Sequence, residues 1–169
     1  MIPLEVDLMQ STMERRHVLR AASVAGAAAV AGLAVTDSAR ADDDEGGNSV
    51  VGAWVVTHRD DPPGPPNIGK SVVTAALGGA FENVEIAPPD GVGAGAWRSL
   101  GGGRFKSVFQ TGAPGQKAGD PGLIVEVRPR GRVTGNTISG TYTVSGSNAH
   151  TGVVLFSGTG TFTGTRLIP

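Results

Sequence analysis

Glycine supplies 25 of the 128 residues that follow Ala41. Each interior glycine weakens a helix by about 1 kcal/mol relative to alanine, and no stretch of a dozen residues here carries an apolar stripe at helical spacing. Alternation with a period of two recurs instead, the pattern of a strand with one dry face and one wet face. In ISGTYTVSG, Ile138, Gly140, Tyr142 and Val144 share one side, and Ser139, Thr141, Thr143 and Ser145 the other. FSGTGTFTGTR repeats the device: Phe156, Gly158, Gly160, Phe162, Gly164 and Arg166 alternate with Ser157, Thr159, Thr161, Thr163 and Thr165. Threonine is β-branched and polar, which suits the wet face of a sheet. In LIVEVRPR, Leu123, Val125 and Val127 oppose Glu126, Arg128 and Arg130.

Glycine-rich turns separate these runs at Gly78-Gly79, Gly101-Gly102-Gly103 and Gly135-Asn136, supplying the positive φ that tight hairpins need. About eight strands follow, beginning near Val50, Ser71, Phe81, Ala94, Arg104, Leu123, Thr137 and Val153. Short links between successive strands predict an all-β fold, a single up-and-down antiparallel barrel. Closure removes exposed edges, and a barrel of about eight strands encloses side chains or one small ligand.

The first 41 residues read as an export signal. Arg15-Arg16 opens a basic head, Ala21 to Val35 is uncharged and apolar, and Ala39-Arg40-Ala41 offers a small-x-small cleavage site, the three-part layout of such a leader. The arginine pair makes it similar to a twin-arginine signal, although Glu14 and Val18 depart from the residues usual around that pair. The apolar segment is shorter than the roughly 20 residues a stable membrane span needs. The expected partner of this leader is the export machinery, and the expected location is extracellular or in the cell envelope. Residues 42–49 form an acidic tail, DDDEGGNS, read as solvated chain. Residues 50–169 then make one domain with one core. Cysteine is absent, so no disulfide supports that core. Ten Lys and Arg balance eleven Asp and Glu after Ala41, a total that gives no footprint for nucleic acid.

Gly64 to Ser71, GPPNIGKS, matches the pattern of a phosphate-binding loop. Such a loop needs a strand running into it and a helix leaving it. Here Asp60, Asp61, Pro62 and Pro63 precede it, and the β-branched run Val72-Val73-Thr74 follows. The expectation is a proline-rich loop between two strands, no nucleotide, and Lys70 solvated on a strand.

Gly52-Ala53-Trp54 opens the first strand and Arg166 closes the last. This resembles the calycin families (lipocalins, fatty-acid-binding proteins and avidins), whose first strand carries Gly-x-Trp. In lipocalins a late arginine crosses that tryptophan at the closed end of the barrel. Gly64-Pro65-Pro66, Gly95-Ala96-Trp97-Arg98, Arg104-Phe105 and the closing Gly158-Thr159-Gly160 to Gly164-Thr165-Arg166 are similar to a group of small bacterial lipocalin-like proteins. The resemblance covers about residues 50 to 169 and implies a barrel closed by Trp54 and Arg166. An avidin-type biotin site is not implied, because only two tryptophans are present.

On strand parity, His58 lies on the face of Trp54 but nearer the open end. His58, Trp97, Phe105, Phe109, Tyr142 and Phe156 are the candidate ligand-binding residues. His58 and Tyr142 are the inward groups able to exchange protons or donate hydrogen bonds. Inward glycines at 140, 158 and 160 leave room for a ligand or simply allow the barrel to coil. Glu82 and Glu85 fall on opposite faces of their strand and make no carboxylate pair. No catalytic triad can be assembled, no cofactor is expected, and His58-x-Asp60-Asp61 lacks a second histidine for a metal. The leading expectation is a lipocalin-like barrel that holds a small, largely apolar molecule. The alternatives are an isomerase or cyclase of the allene-oxide-cyclase type, and a structural or protein-binding module with a filled core.

Overall fold

The computed structural model describes residues 48–62, 68–115, 117 and 119–168. The export leader, most of the acidic tail and residues 64–67 of the GPPNIGKS segment lie outside the described residues. Eight strands follow one another: β1 Gly52–Asp60, β2 Ile68–Ala75, β3 Ala80–Ala87, β4 Pro89–Gly101, β5 Arg104–Ala113, β6 Leu123–Thr134, β7 Thr137–Asn148 and β8 Val154–Arg166. Each pairs antiparallel with its neighbour in sequence, and β8 returns to β1 to close the barrel. The result is the up-and-down barrel expected from the alternation, compatible with a calycin-like build. No described residue is helical.

The turns fall where the glycines are. Gly78 and Gly79 (φ 98° and 92°) link β2 to β3, and Gly101, Gly102 and Gly103 (φ 78°, 61° and 72°) link β4 to β5. Residues with a β-carbon rarely adopt these angles. Two strands begin earlier than expected. β2 starts at Ile68, because Gly69 and Lys70 continue the ladder opposite His58 and Thr57. β4 starts at Pro89, where a proline is tolerated as a first strand residue. Gly93 and Val92 pair with Asn83 and Val84, and a register shift between Val84 and Ile86 separates these from the Pro89 pair with Ile86. Lys70 is therefore an exposed strand residue with no helix following it.

Strand direction gives the barrel two ends. The starts of β1, β3, β5 and β7 and the finishes of the even strands define the closed end. There Trp54 is fully buried, and the Arg166 guanidinium lies 4.1 Å from its ring centre. The two Arg166 amino groups donate to Val51 O and Ser49 O, both at 2.6 Å, and Trp54 Nε1 donates to Val50 O at 2.8 Å. Gly52 has φ 129°, and a β-carbon there would sit 2.8 Å from Arg166 Nη1. The Gly-x-Trp pattern thus has a local cause: glycine makes room for the guanidinium that covers the indole.

Inward glycines in the barrel's middle are covered by rings. A β-carbon on Gly140 would lie 2.8 Å from Phe162 Cζ, and one on Gly131 would lie 2.9 Å from Phe105 Cε1. An aromatic ring over a bare strand backbone recovers packing that the glycine forgoes. Trp54, Phe105, Val133 and Ile138 are nearly inaccessible. This half of the interior is solid core.

Candidate functional site at the open end

Towards the other end the inward side chains become accessible. Leu123, Val125, Val127, Val144 and Phe156 are only half-buried although parity points them inside. A β-carbon on Gly158 would meet nothing within 4 Å except Val144 Cγ1 at 3.6 Å, an ordinary contact. Gly158 therefore has room beside it that Gly131 and Gly140 lack.

Polar groups converge at this mouth. On β1, alternation carries Trp54, Val56 and His58 along one inner face. On β3 the same parity carries Phe81, Asn83 and Glu85, and on β2 it carries Val73 and Ser71. Register brings these three strands side by side. His58 Nε2 lies 3.1 Å from Glu85 Oε2. Ser71 Oγ donates to Glu85 Oε1 at 2.8 Å, and Asn83 Nδ2 donates to the same oxygen at 3.1 Å. Gly69 is bare because its β-carbon would fall 2.4 Å from the His58 ring. The His58 ring meets Tyr142 edge to face with centroids 6.2 Å apart, and the Tyr142 hydroxyl donates to Asp60 Oδ1 at 2.5 Å.

Burial alone would lower the His58 pKa, but the hydrogen bond to Glu85 and the charges of Glu85 and Asp60 outweigh it and raise the value above 6.5. Burial pushes Glu85 the opposite way, yet His58, Asn83 and Ser71 together hold it below its usual value of 4.5. Burial first, then the bond to Asp60, raises the Tyr142 hydroxyl far above its ordinary value. Tyr142 is a fixed donor, and His58–Glu85 is an ion pair at mildly acidic pH. Their side chains retain 21% and 23% exposure, so a ligand entering the mouth can reach them.

The pair makes stability depend on pH. A raised histidine pKa stabilises fully below the unfolded value near 6.5, and that gain is lost as pH rises through the folded value. A lowered glutamate pKa stabilises above its unfolded value, and that gain is lost as pH falls through the folded one. The pair's contribution is therefore greatest between about pH 4.5 and 6.5. Thermal melts are expected to show the midpoint falling as pH rises from about 6 to 8. The variant His58→Asn should remove that slope.

The expected ligand-binding residues divide between the two halves. His58, Tyr142 and Phe156 stand towards the mouth, with Phe156 folded over Gly146. Phe109 lies midway, stacked on Phe81 at 5.5 Å. Trp97 and Phe105 belong to the closed half: Trp97 Nε1 donates to Ala76 O at 2.9 Å, and Phe105 packs against Phe162 with centroids 6.4 Å apart. Glu85, Ser71, Asn83 and Asp60 join the site without having been expected there. Their signal was available in part, since Asn83 and Glu85 share the parity of Phe81. Thr111, inward on β5 at the mouth, has a buried hydroxyl without a hydrogen-bond partner among the described residues. The Ser107 hydroxyl, two turns of the alternation deeper on the same strand, is buried and without a partner in the same way. Among the described residues, no group of three or more His, Cys, Asp or Glu could hold a metal ion, and no helix is long and apolar enough to cross a membrane. No family model, no curated protein and no solved structure matches the chain.

Proposed function

We propose that the protein binds a small, largely apolar molecule in the open half of its barrel, with the His58–Glu85 pair engaging a polar group on that molecule. The observation that carries this reading is Gly158, an inward glycine whose added β-carbon would meet only Val144 Cγ1 at 3.6 Å, at the end of the barrel where Val125, Val144 and Phe156 are half-buried and the His58 and Glu85 side chains stay 21% and 23% exposed. Other inward glycines are covered by rings or backbone, Gly146 by Phe156 and Gly160 by Tyr142 at this same end. A mostly apolar wall with few converging polar groups is the usual composition of a small-molecule site. Apolar burial contributes about 25 cal/mol per Å², and a hydrogen bond to a charged group adds about 1.5–3 kcal/mol. The leader read at residues 1–41 extends the proposal: the barrel acts outside the cytoplasm, and the exported chain begins at Asp42.

Mass spectrometry of protein purified without denaturation tests the binding reading. A small molecule should co-purify with the wild type and be retained less by Glu85→Gln, which keeps the shape of the side chain but not its charge. A wild-type protein that carries nothing, and takes nothing from a lipid extract, contradicts it.

A second reading follows from one feature of the mouth. His58, its pKa raised by Glu85 and Asp60, stands beside a carboxylate and close to a phenol that stays protonated, a set suited to moving a proton on a bound substrate. On that reading the protein is an isomerase or cyclase, and confinement in the mouth supplies much of the rate. The co-purified molecule then returns chemically altered after incubation, with a rate that follows the His58 titration.

A further inference from the structure

The near-balance of charge over the chain conceals a segregated surface. On the outer face of the barrel, Arg98 of β4 stands opposite Lys106 of β5, and Lys106 opposite Arg130 of β6. One step along the strands, Arg104 of β5 stands opposite Arg132 of β6. Arg98, Arg104, Arg130 and Arg132 are exposed and Lys106 is half-buried. Directly opposed side chains of neighbouring strands sit about 5 Å apart, and like charges so placed are destabilising. Arg128, next in the β6 row, is held by Glu126 at 2.7 Å, the one salt bridge of this face among the described residues. Three adjacent strands thus carry an array of five cations that form no salt bridge with an acid among the described residues.

The neighbouring face is hydroxylated. In β7 and β8, Thr137 faces Thr165, Ser139 faces Thr163, Thr141 faces Thr161, and Thr143 faces Thr159. The register joins the two surfaces into oblique tracks. One runs Arg98, Lys106, Arg130, Thr141, Thr161 and Arg59. The other runs Arg104, Arg132, Ser139, Thr163, Thr57 and Lys70. The second track crosses an open depression of about 440 Å³ bordered by Ser139, Thr163, Thr57 and Lys70.

We propose that this face docks a linear polysaccharide bearing repeated sulfate or carboxylate groups, its anions on the arginine rows and its hydroxyls on the Ser/Thr ladder. Charge complementarity selects a polyanion. The ladder offers donors and acceptors suited to sugar hydroxyls. Single-stranded nucleic acid fits less well, because base stacking needs aromatic platforms and the two Trp, the Tyr and Phe81, Phe105, Phe109 and Phe162 are all buried in the core. A bilayer fits less well because, among the described residues, Leu100 is the one large exposed apolar side chain beside the arginine rows, while Val153, Val154 and Leu155 cluster at the β7–β8 turn. The site is separate from the barrel mouth and does not depend on ligand binding there.

Titration of the barrel with dextran sulfate at several salt concentrations tests the proposal. If five charges are neutralised at about −0.7 each in log K against log salt, the slope is about −3.5. Affinity then falls about 130-fold between roughly 50 and 200 mM salt. The triple variant Lys106→Gln/Arg130→Gln/Arg132→Gln should reduce that fall to about 7-fold. Its melting temperature should stay level or rise, because opposed like charges are removed, so lost binding is not lost folding. Lys117→Gln, outside the array, should bind as the wild type does. The proposal is overturned if the wild type does not bind, if neutral dextran binds equally, or if the triple variant is unchanged. Equal or tighter binding to single-stranded DNA or to phosphatidylglycerol vesicles also overturns it, by assigning the face to another occupant.

Discussion

Gly140→Ala should lower the melting temperature by about 10 °C or more, whereas Gly158→Ala should leave it nearly unchanged. Both glycines face inward on adjacent strands, so propensity treats them alike. Their surroundings differ. A β-carbon on Gly140 would stand 2.1 Å from Arg130 O and 2.6 Å from Gly131 Cα, as well as close to Phe162. Backbone cannot yield by rotating a side chain, so β6 must move away from β7. Overpacking that shifts backbone costs about 3 kcal/mol. At Gly158 the added methyl finds an ordinary contact, and the entropy removed from the unfolded chain offsets the change. Thermal melts of the two variants measure this directly. Equal losses at both sites would mean that the two halves of the barrel are packed alike.

Arg166→Ala should cost about 3 kcal/mol, and Arg166→Lys should recover less than half of that. The guanidinium makes two charge-assisted bonds to Val51 O and Ser49 O and covers the Trp54 ring. Bonds to charged groups contribute about 1.5–3 kcal/mol each and the ring contact about 0.5–2 kcal/mol, less what the exposed edge regains from water. An ammonium group cannot meet both carbonyls while lying flat on an indole. Because these contacts join residue 166 to residues 49–54, they tie together the two ends of the barrel domain. Urea unfolding at neutral pH gives the difference. A lysine variant as stable as the wild type would show that charge alone, not the planar fork, closes the barrel.

The parts legible in the sequence were those written along a single strand. Alternation in β7 and β8 separates Tyr142, Phe162 and Arg166 from the threonines without reference to any other strand, and it also placed His58 on the inner face. What stayed hidden depends on lateral register. Glu85 reaches His58 only because β2 lies between their strands with Gly69 bare and with a register shift at Lys70 and Ser71. Nothing local to β3 announces that shift. The division of the expected lining has the same origin: parity says that Trp97 and Phe105 face inward, but height along the barrel follows from pairing. Net charge was the least informative quantity, since Arg98, Lys106 and Arg130 become a row only when β4, β5 and β6 are laid side by side. The early start of β4 was obscured by its own proline and glycines, which are weak strand formers.

The claim on which the functional account rests is that the open half of the barrel, and not the closed half, accommodates a guest. Fluorescence titration with a neutral apolar dye, N-phenyl-1-naphthylamine, tests it most directly when wild type and Gly158→Leu are compared. The account predicts saturable binding by the wild type and its loss in Gly158→Leu, whose added side chain fills the mouth while the melting temperature is retained. Absence of binding by the wild type, or undiminished binding by a folded Gly158→Leu, would contradict it.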